Sequence, residues 1–282
     1  MNLLSIQSHV AYGHVGNAAA VFALQRLGCE VWPVHTLQYS NHPGYGAWRG
    51  RRVDAALVGE VVQGIAERGV LGRCDGVISG YLGAADIGAA ILDAVALVKA
   101  ANPLARYCCD PVIGDVGPGV YVPADIVAFM GARMLPAADV LTPNQFELDC
   151  LSGQGSATRA AALAAVDRLR ARGPGAVLVT SLRTAETPAD AVELIACDQS
   201  GRFLLRTPLL PAAVNGAGDA IAALFFFHYL RAGVLAEALA RAASSVFGIV
   251  RRTIEAGSRE LLLIEAQEEL VVPARMFRPE PL

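Results

Sequence analysis

The sequence predicts an α/β fold with a mainly parallel central sheet and helices on both faces. Short apolar runs alternate with segments of helical period over most of the chain, which is the pattern of strand–helix–strand units. Of the 282 residues, 54% are hydrophobic and 17% are charged, which is enough for one sizeable core. No linker or internal repeat divides the chain, so we expect one domain over residues 1–282.

In the first half of the chain, strand-length apolar runs are separated by longer helical segments. Residues 57–68 show the 3.6-residue period of a helix, and a glycine-rich turn at 80–83 separates a strand from the next helix. The predicted strands are residues 3–6, 30–37, 76–79 and 106–109, and the predicted helices are residues 17–27, 57–68 and 86–100.

In the second half, an amphipathic helix over 158–172 ends at a Gly-Pro-Gly stop. Two apolar runs joined by the turn 198–201 predict an antiparallel hairpin. The predicted strands are residues 139–141, 176–180, 191–197 and 201–205, and the predicted helices are residues 125–131, 145–151, 158–172, 217–230, 235–251 and 258–263.

Polar and glycine-rich turns follow the predicted strands. They are residues 8–14, 41–46, 79–83, 110–114, 142–147 and 180–183. Ligands of open α/β sheets bind beyond the carboxyl ends of the strands, so we expect the functional site where these turns meet.

Charge and composition exclude several classes of protein. The net charge of −3, with no basic cluster beyond Arg49, Arg51 and Arg52, argues against nucleic-acid binding. The most apolar stretch, residues 220–230, is too short for a membrane span, which needs about 20 residues. The N-terminus lacks the basic region of a signal peptide. Six cysteines without a C-x-x-C pair suggest a reducing compartment, so we expect a cytoplasmic protein.

The strongest chemical motif is Asn-Gly-Ala-Gly-Asp at residues 215–219, directly before an apolar helix. Glycines there permit a tight turn, and the free amides of a helix N-terminus bind anions. A carboxylate at Asp219 has the wrong sign for a phosphate site unless it accepts a proton. The alternative is that Asp219 only caps the helix.

This motif, together with Asn144-x-x-Glu147, resembles the signature of the ribokinase-like sugar and vitamin kinases. Residues 6–17, 31–48, 79–83 and 109–115 are similar, in order and spacing, to the pyridoxal kinase family. The resemblance runs from residue 3 to about residue 252. It implies a ribokinase-like three-layer sandwich.

The resemblance also implies an activity, the transfer of the γ-phosphate of ATP to the 5′-hydroxymethyl group of pyridoxal, forming pyridoxal 5′-phosphate. Asp219 would be the base, and the amides of Gly216, Ala217 and Gly218 would form an anion hole. No Walker A sequence occurs, so another group must neutralise the phosphates, and Mg²⁺ is the expected agent.

By the same resemblance, Asp110 and Glu147 would hold Mg²⁺ directly or through water. The expected phosphate-binding residues are Asp110, Thr142, Asn144, Glu147, Thr180 and Ser181. Taken alone, the Asp110 region is equally typical of a strand-ending turn, and Glu147 of a first-turn helix charge. A K⁺ requirement and a homodimer are further expectations from the family.

The acceptor site is expected from the family match at Ser8, Tyr39, His42 and Tyr81. The two tyrosines fit an aromatic wall for a pyridine ring, although ordinary packing explains them as well. Residues 114–122 form a Gly- and Pro-rich segment suited to a lid over ATP. The adenine pocket is expected around residues 208–214 and 243–247.

Two positions depart from the family pattern. Pro43 stands where these kinases commonly carry Thr, and Val120 stands where some carry a lid cysteine that traps the pyridoxal aldehyde. Both positions concern the choice among pyridoxal, pyridoxamine and pyridoxine. Two alternatives remain open: a sibling kinase acting on hydroxymethylpyrimidine or another small alcohol, and a non-catalytic relative that binds pyridoxal phosphate.

Overall fold

A computed structural model of the chain describes residues 1–212 and 214–282, and within them a ten-stranded sheet forms the centre of the molecule. The strands are β1 (Asn2–Val10), β2 (Glu30–Tyr39), β3 (Gly50–Arg52), β4 (Gly76–Ser79), β5 (Arg106–Cys109), β6 (Gly114–Asp115), β7 (Gly119–Val120), β8 (Val140–Leu141), β9 (Ala176–Leu182), β10 (Ala191–Asp198), β11 (Gly201–Pro208) and β12 (Glu280–Pro281). Strands β6 and β7 form a separate small hairpin.

The helices fill the connections between strands, as the alternating pattern predicts. They are α1 (Asn17–Arg26), α2 (Ala55–Glu67), α3 (Ala85–Ala101), α4 (Ala124–Phe129), α5 (Leu135–Ala137), α6 (Gln145–Ser152), α7 (Arg159–Arg170), α8 (Ala217–Ala232), α9 (Leu235–Glu255) and α10 (Glu268–Val271).

The strand order is β12-β11-β10-β9-β8-β5-β4-β1-β2-β3. Neighbouring strands from β2 to β9 are parallel, whereas β3 and the β10–β12 strands pair antiparallel at the two edges. The predicted hairpin is the β10–β11 pair. The predicted fold class, a mainly parallel sheet covered on both faces, is confirmed.

Two hydrophobic clusters lie on opposite faces of the sheet. Successive residues of β1 point to opposite faces, so Leu3 packs in one cluster and Leu4 in the other. One face is covered chiefly by α2, α3 and α7, and the other by α1, α8 and α9. This three-layer arrangement leaves the carboxyl ends of the parallel strands at one edge.

The prediction of a helix over residues 258–263 is wrong. Gly257 has a φ of 63°, which ends the helical path after α9. Leu261 and Leu263 are both buried although they are two residues apart, a spacing that suits an irregular segment rather than one helix face.

The edge strands β3 and β12 are too short to give a periodic signal.

The arginine-rich segment at residues 49–52 lies largely in β3. Its Arg52 donates a 2.7 Å hydrogen bond to the carbonyl of Gly83, so this side chain ties the edge strand to the turn after β4. No helix among residues 1–212 and 214–282 is long and apolar enough to cross a membrane.

Candidate active site

The turns after β5 and β8 bring a buried carboxylate and a hydroxyl together. Asp110 and Thr142 are both buried, and Thr142 Oγ1 donates a hydrogen bond of 2.8 Å to Asp110 Oδ1. The neighbouring parallel strands end at the same edge, which is why residues 32 positions apart meet here. The bond orients one oxygen of Asp110.

Asn144 and Glu147 form a capping box at the start of α6. Asn144 Oδ1 accepts from the N–H of Glu147 (2.9 Å), and Glu147 Oε2 accepts from the N–H of Asn144 (2.9 Å). The same side chains hold the base of the β6–β7 hairpin, because Asn144 Nδ2 donates to the carbonyl of Gly114 and Glu147 Oε1 accepts from the N–H of Ile113. The motif therefore joins the hairpin to α6.

Asp219 lies in the first turn of α8, where helix amides lack intrahelical partners. The preceding Gly216 has a φ of 89°, and a side chain there would collide with the carbonyl of His14. Glycine is required on both counts. Burial raises the pKa of Asp219 to about 6, and N–H groups of Gly16 and of Asp219 itself oppose this shift.

Burial and neighbouring carboxylates disfavour the ionised form of Asp110. Burial raises the pKa of Asp110 well above its usual range, and the charges of Glu147 and Asp219 raise it further. Burial also raises the pKa of Glu147 to about 8, although its backbone hydrogen bonds favour the ionised form. A cation bound among them would relieve the repulsion, so the edge is chemically suited to a metal–phosphate ligand.

The residues at this edge can supply part of the oxygen ligands that Mg²⁺ needs. Asp110 offers a buried carboxylate in which one oxygen receives no hydrogen bond from the residues that the structure describes. The Glu147 oxygens accept backbone N–H groups of Ile113, Gly114 and Asn144. Within the described part of the chain, no group of three or more His, Cys, Asp or Glu residues forms a metal cage. Mg²⁺ commonly takes one or two carboxylates and completes its shell with water and phosphate oxygens.

Thr180 and Ser181 lie near the end of β9, beside the Asn144 turn. The N–H of Thr180 donates 2.9 Å to the carbonyl of Pro143, and Ser181 is exposed. Ser181 has a φ of 53°, and among the described non-glycine residues it is the one with positive φ. Such backbone strain is concentrated at functional sites.

The expected adenine region is described except for Ala213, which lies outside the described residues. In α9, Ser244 Oγ accepts a 2.9 Å hydrogen bond from the N–H of Phe277, and Phe247 packs edge-on against the Phe277 ring. The assignment of adenine to residues 208–214 and 243–247 stays a prediction.

The four expected acceptor residues lie in the last residues of strands or in the turns that follow them. Ser8 is buried in β1, and its hydroxyl lies against Gly16. Tyr39 ends β2, and its proximity adds to the effect of burial in raising the pKa of Tyr81. His42 is the N-cap of the short 3₁₀ helix at residues 43–45, and its Nδ1 accepts from the N–H of Gly44 (3.1 Å).

Tyr121, next to the β6–β7 hairpin, belongs to the predicted lid segment, although the sequence assigns no role to its side chain. Tyr121 is 51% exposed, and its N–H donates 3.1 Å to the carbonyl of Ile113. Partial burial, together with the charges of Glu147, Asp110, Asp115 and Asp219, raises the pKa of its phenol. Its signal in the sequence was an aromatic residue within a Gly-rich segment, which by itself does not separate a site residue from a surface one.

Comparisons with known proteins find a kinase family model and similar kinases over nearly the whole chain. A family model described as phosphomethylpyrimidine kinase matches residues 52–263. The chain is 54% identical over 281 residues to pyridoxal kinase PdxY of Granulibacter bethesdensis, covering 98% of each chain. It is 51% identical over 282 residues to pyridoxal kinase PdxY of Corynebacterium diphtheriae, covering 100% of each.

Among solved structures, pyridoxal kinase from Leishmania donovani in complex with ADP and pyridoxamine superposes with a TM-score of 0.92 at 30% identity, covering 100% of this chain and 99% of that one. The fold and these similarities define an ATP-dependent kinase with a ribokinase-like fold. Within that class, the chain belongs to the pyridoxal kinase family.

Proposed function

We propose that this protein transfers the γ-phosphate of ATP to the 5′-hydroxymethyl group of pyridoxal, giving pyridoxal 5′-phosphate and ADP. The observation that carries the proposal is Asp219 in the first turn of α8, with its pKa raised to about 6 beside the buried carboxylate of Asp110. A base of that pKa is ionised at neutral pH and still takes a proton readily. The similarity to pyridoxal kinases gives the acceptor.

In the proposed reaction, Asp219 accepts the hydroxyl proton as the alcohol oxygen attacks the γ-phosphorus. A bond forms between these two atoms, and the bond from phosphorus to the β–γ bridging oxygen breaks, releasing ADP. The amides of Gly216, Ala217 and Gly218 donate to the negative charge on the transferred group. Most of the rate enhancement comes from positioning the reactants and stabilising charge, because the protein forms no covalent bond to them in this mechanism.

The phosphate side of the proposal assigns the ATP phosphates to Thr142, Asn144, Thr180 and Ser181. Mg²⁺, held by Asp110 directly and by Glu147 through water, would neutralise phosphate charge when bound. The Glu147 oxygens already accept backbone N–H groups, which supports a water-mediated role for it. A K⁺ requirement belongs to the proposal on family grounds.

The acceptor side assigns the pyridine ring to Tyr39 and Tyr81, with Ser8 and His42 as its polar partners. The centroid of the Tyr39 ring lies 6.1 Å from that of the Trp48 ring, and Tyr81 follows β4 among the turns after the strands, which supports an aromatic wall. Pro43, at the start of the 43–45 turn, offers neither a hydroxyl nor an N–H there. Pro43 therefore reduces the number of polar contacts available to the pyridine ring.

We further propose one kinase domain over residues 1–282, in which residues 114–122 close over ATP. The antiparallel β6–β7 pairing and its attachment to Asn144 support a hinged hairpin. Val120 carries no thiol, so reversible trapping of the aldehyde is absent from the proposed lid. The proposal includes a cytoplasmic homodimer.

An ADP-release assay tests the substrate. With Mg²⁺ and K⁺ present, pyridoxal should give a kcat/KM about tenfold or more above that of hydroxymethylpyrimidine, since the better acceptor satisfies the polar groups of the ring site. Pyridoxamine and pyridoxine serve as comparison acceptors, and omission of Mg²⁺ should abolish turnover. Preference for hydroxymethylpyrimidine would favour the sibling kinase named by the family model. Tight pyridoxal phosphate binding without ADP release would favour the non-catalytic alternative.

The pH profile tests the base. Because Asp219 must be ionised to accept a proton and its pKa is raised to about 6, kcat/KM for pyridoxal should rise through that pH and level off above it. Below it, the slope should approach about tenfold per pH unit. Two pyridine alcohols of different ring basicity should give the same lower limb. A limb that follows the ring basicity would assign the titration to the substrate instead.

A further inference from the structure

The segment after α9 contacts the loop that carries His42. Tyr45 Oη donates a 2.6 Å hydrogen bond to Glu260 Oε1, and Arg259 Nη2 donates a 2.6 Å hydrogen bond to the carbonyl of Gly44. The Arg259 guanidinium also lies over the Tyr45 ring, 3.7 Å from its centroid, in cation–π geometry. Two adjacent side chains therefore hold the 42–46 loop from 215 positions away.

Glu260 also contacts the turn that follows β1. Its carboxylate lies against Gly13, where any side chain would overlap it. The same turn continues to His14, whose carbonyl lies against Gly216, and to Gly16, whose N–H faces Asp219. One carboxylate thus connects the loop that carries His42 with the turn that adjoins the proposed base.

The segment that presents these two side chains is anchored to the core. Leu261 and Leu263 are buried on its C-terminal side. Ser258 Oγ donates to the carbonyl of Glu260 (2.6 Å), and the N–H of Leu262 donates to Thr253 Oγ1 (3.0 Å) on α9. The contacts to the 42–46 loop therefore extend from a fixed support.

The protonation state of Tyr45 maintains its hydrogen bond to Glu260 near neutral pH. The hydrogen bond to Glu260 raises the pKa of Tyr45 to about 12, so the phenol keeps its proton and remains a donor near neutral pH. Hydrogen bonds to a charged partner are stronger than neutral ones. His42 Nδ1 accepts from the N–H of Gly44, the residue whose carbonyl Arg259 holds, so displacement of Gly44 would move the His42 ring.

We propose that Arg259 and Glu260 are positioning residues that fix the 42–46 loop, and with it His42, against the turn at residues 13–16. They act on the acceptor through the loop rather than by touching it. The identity of the acceptor, pyridoxal, rests on the proposed function. The contacts of Arg259 and Glu260 with the loop do not depend on which acceptor binds.

Steady-state kinetics of Glu260→Ala, Glu260→Gln and Arg259→Ala test the proposal. In Glu260→Ala we expect the KM for pyridoxal to rise about tenfold, as loss of a charged hydrogen-bond partner predicts, with the KM for ATP changed by less than about twofold. Glu260→Gln keeps an acceptor oxygen and should recover part of the loss. Glu265→Ala and Arg252→Ala, exposed positions in the same region, are the matched controls and should resemble the wild type.

Hydrogen exchange on the ligand-free proteins supplies a readout that needs no substrate. Peptides covering residues 40–48 should exchange faster in Glu260→Ala and Arg259→Ala than in the controls. A lower Tm with an unchanged KM and unchanged exchange would mean a merely structural role and would overturn the proposal. If the wild type does not phosphorylate pyridoxal, the proposed function fails, and the exchange rates still decide the role of the pair.

Discussion

Asp219→Asn is expected to lower kcat about a thousandfold, within the range that a positioned general base contributes. The amide is nearly the same size and stays at the N-terminus of α8, but it has no carboxylate to accept the hydroxyl proton. The amides of Gly216, Ala217 and Gly218 remain, so binding of ATP should change little. Single-turnover measurement of pyridoxal phosphate formation, with ATP affinity measured separately, checks both parts.

Asp125→Asn is the matched control for this substitution. Asp125 is an exposed carboxylate in the first turn of α4, so its replacement removes a charge from a helix N-terminus without touching the proposed site. If Asp219 only capped its helix, the two variants would each lose a little stability and keep their turnover. A kcat within tenfold of the wild type in Asp219→Asn would remove Asp219 as the base.

Asp110→Asn is expected to lower kcat about a hundredfold while raising Tm at alkaline pH. The loss of rate follows from removing the carboxylate proposed to hold Mg²⁺ near the phosphates. The gain in stability follows from burial and the neighbouring charges of Glu147 and Asp219, which make the charged form of Asp110 unfavourable in the folded protein. Functional sites commonly lower stability in this way.

The sign of the pH effect is fixed by the direction of the shift. The folded-state pKa of Asp110 lies well above its unfolded value, so its favourable contribution is present below the unfolded pKa and is lost as pH rises through the folded one. The variant should therefore gain about 2–4 °C in Tm at pH 8, and nothing near pH 4. Thermal melts without Mg²⁺ at both pH values check this, with the exposed helix position Asp93→Asn as control. A Tm below that of the wild type at pH 8 would contradict the assignment.

Asp219→Asn and Asp110→Asn distinguish two proposed roles, that of the proton acceptor and that of the metal-binding carboxylate. Both carboxylates have raised pKa values with burial as the first cause, but Asp219 at about 6 suits proton transfer. The charges of Glu147 and Asp219 also raise the pKa of Asp110, which suits a carboxylate whose charge is compensated by a bound cation. A kcat loss in Asp110→Asn that higher Mg²⁺ partly restores, with no such recovery in Asp219→Asn, would match this division.

Much of the site followed from local sequence patterns. Apolar runs of strand length located the parallel strands, and the polar turns after them meet at one edge because parallel strands end together. The 215–219 motif predicted a helix N-terminus, because glycine permits the tight turn that precedes an apolar helix. The Asn144–Glu147 capping box is likewise a pattern within one helical turn.

The amino-acid sequence by itself thus determined the fold class, the sheet edge where the proposed site lies and the residues of its local motifs. Only the tertiary structure decided that Glu147 Oε1 accepts from the base of the β6–β7 hairpin, that Thr142 donates to Asp110, and that Arg259 and Glu260 reach the loop at residues 42–46. Periodicity and turn chemistry act over a few residues, whereas these contacts join segments up to 215 positions apart through the packing of the whole sheet.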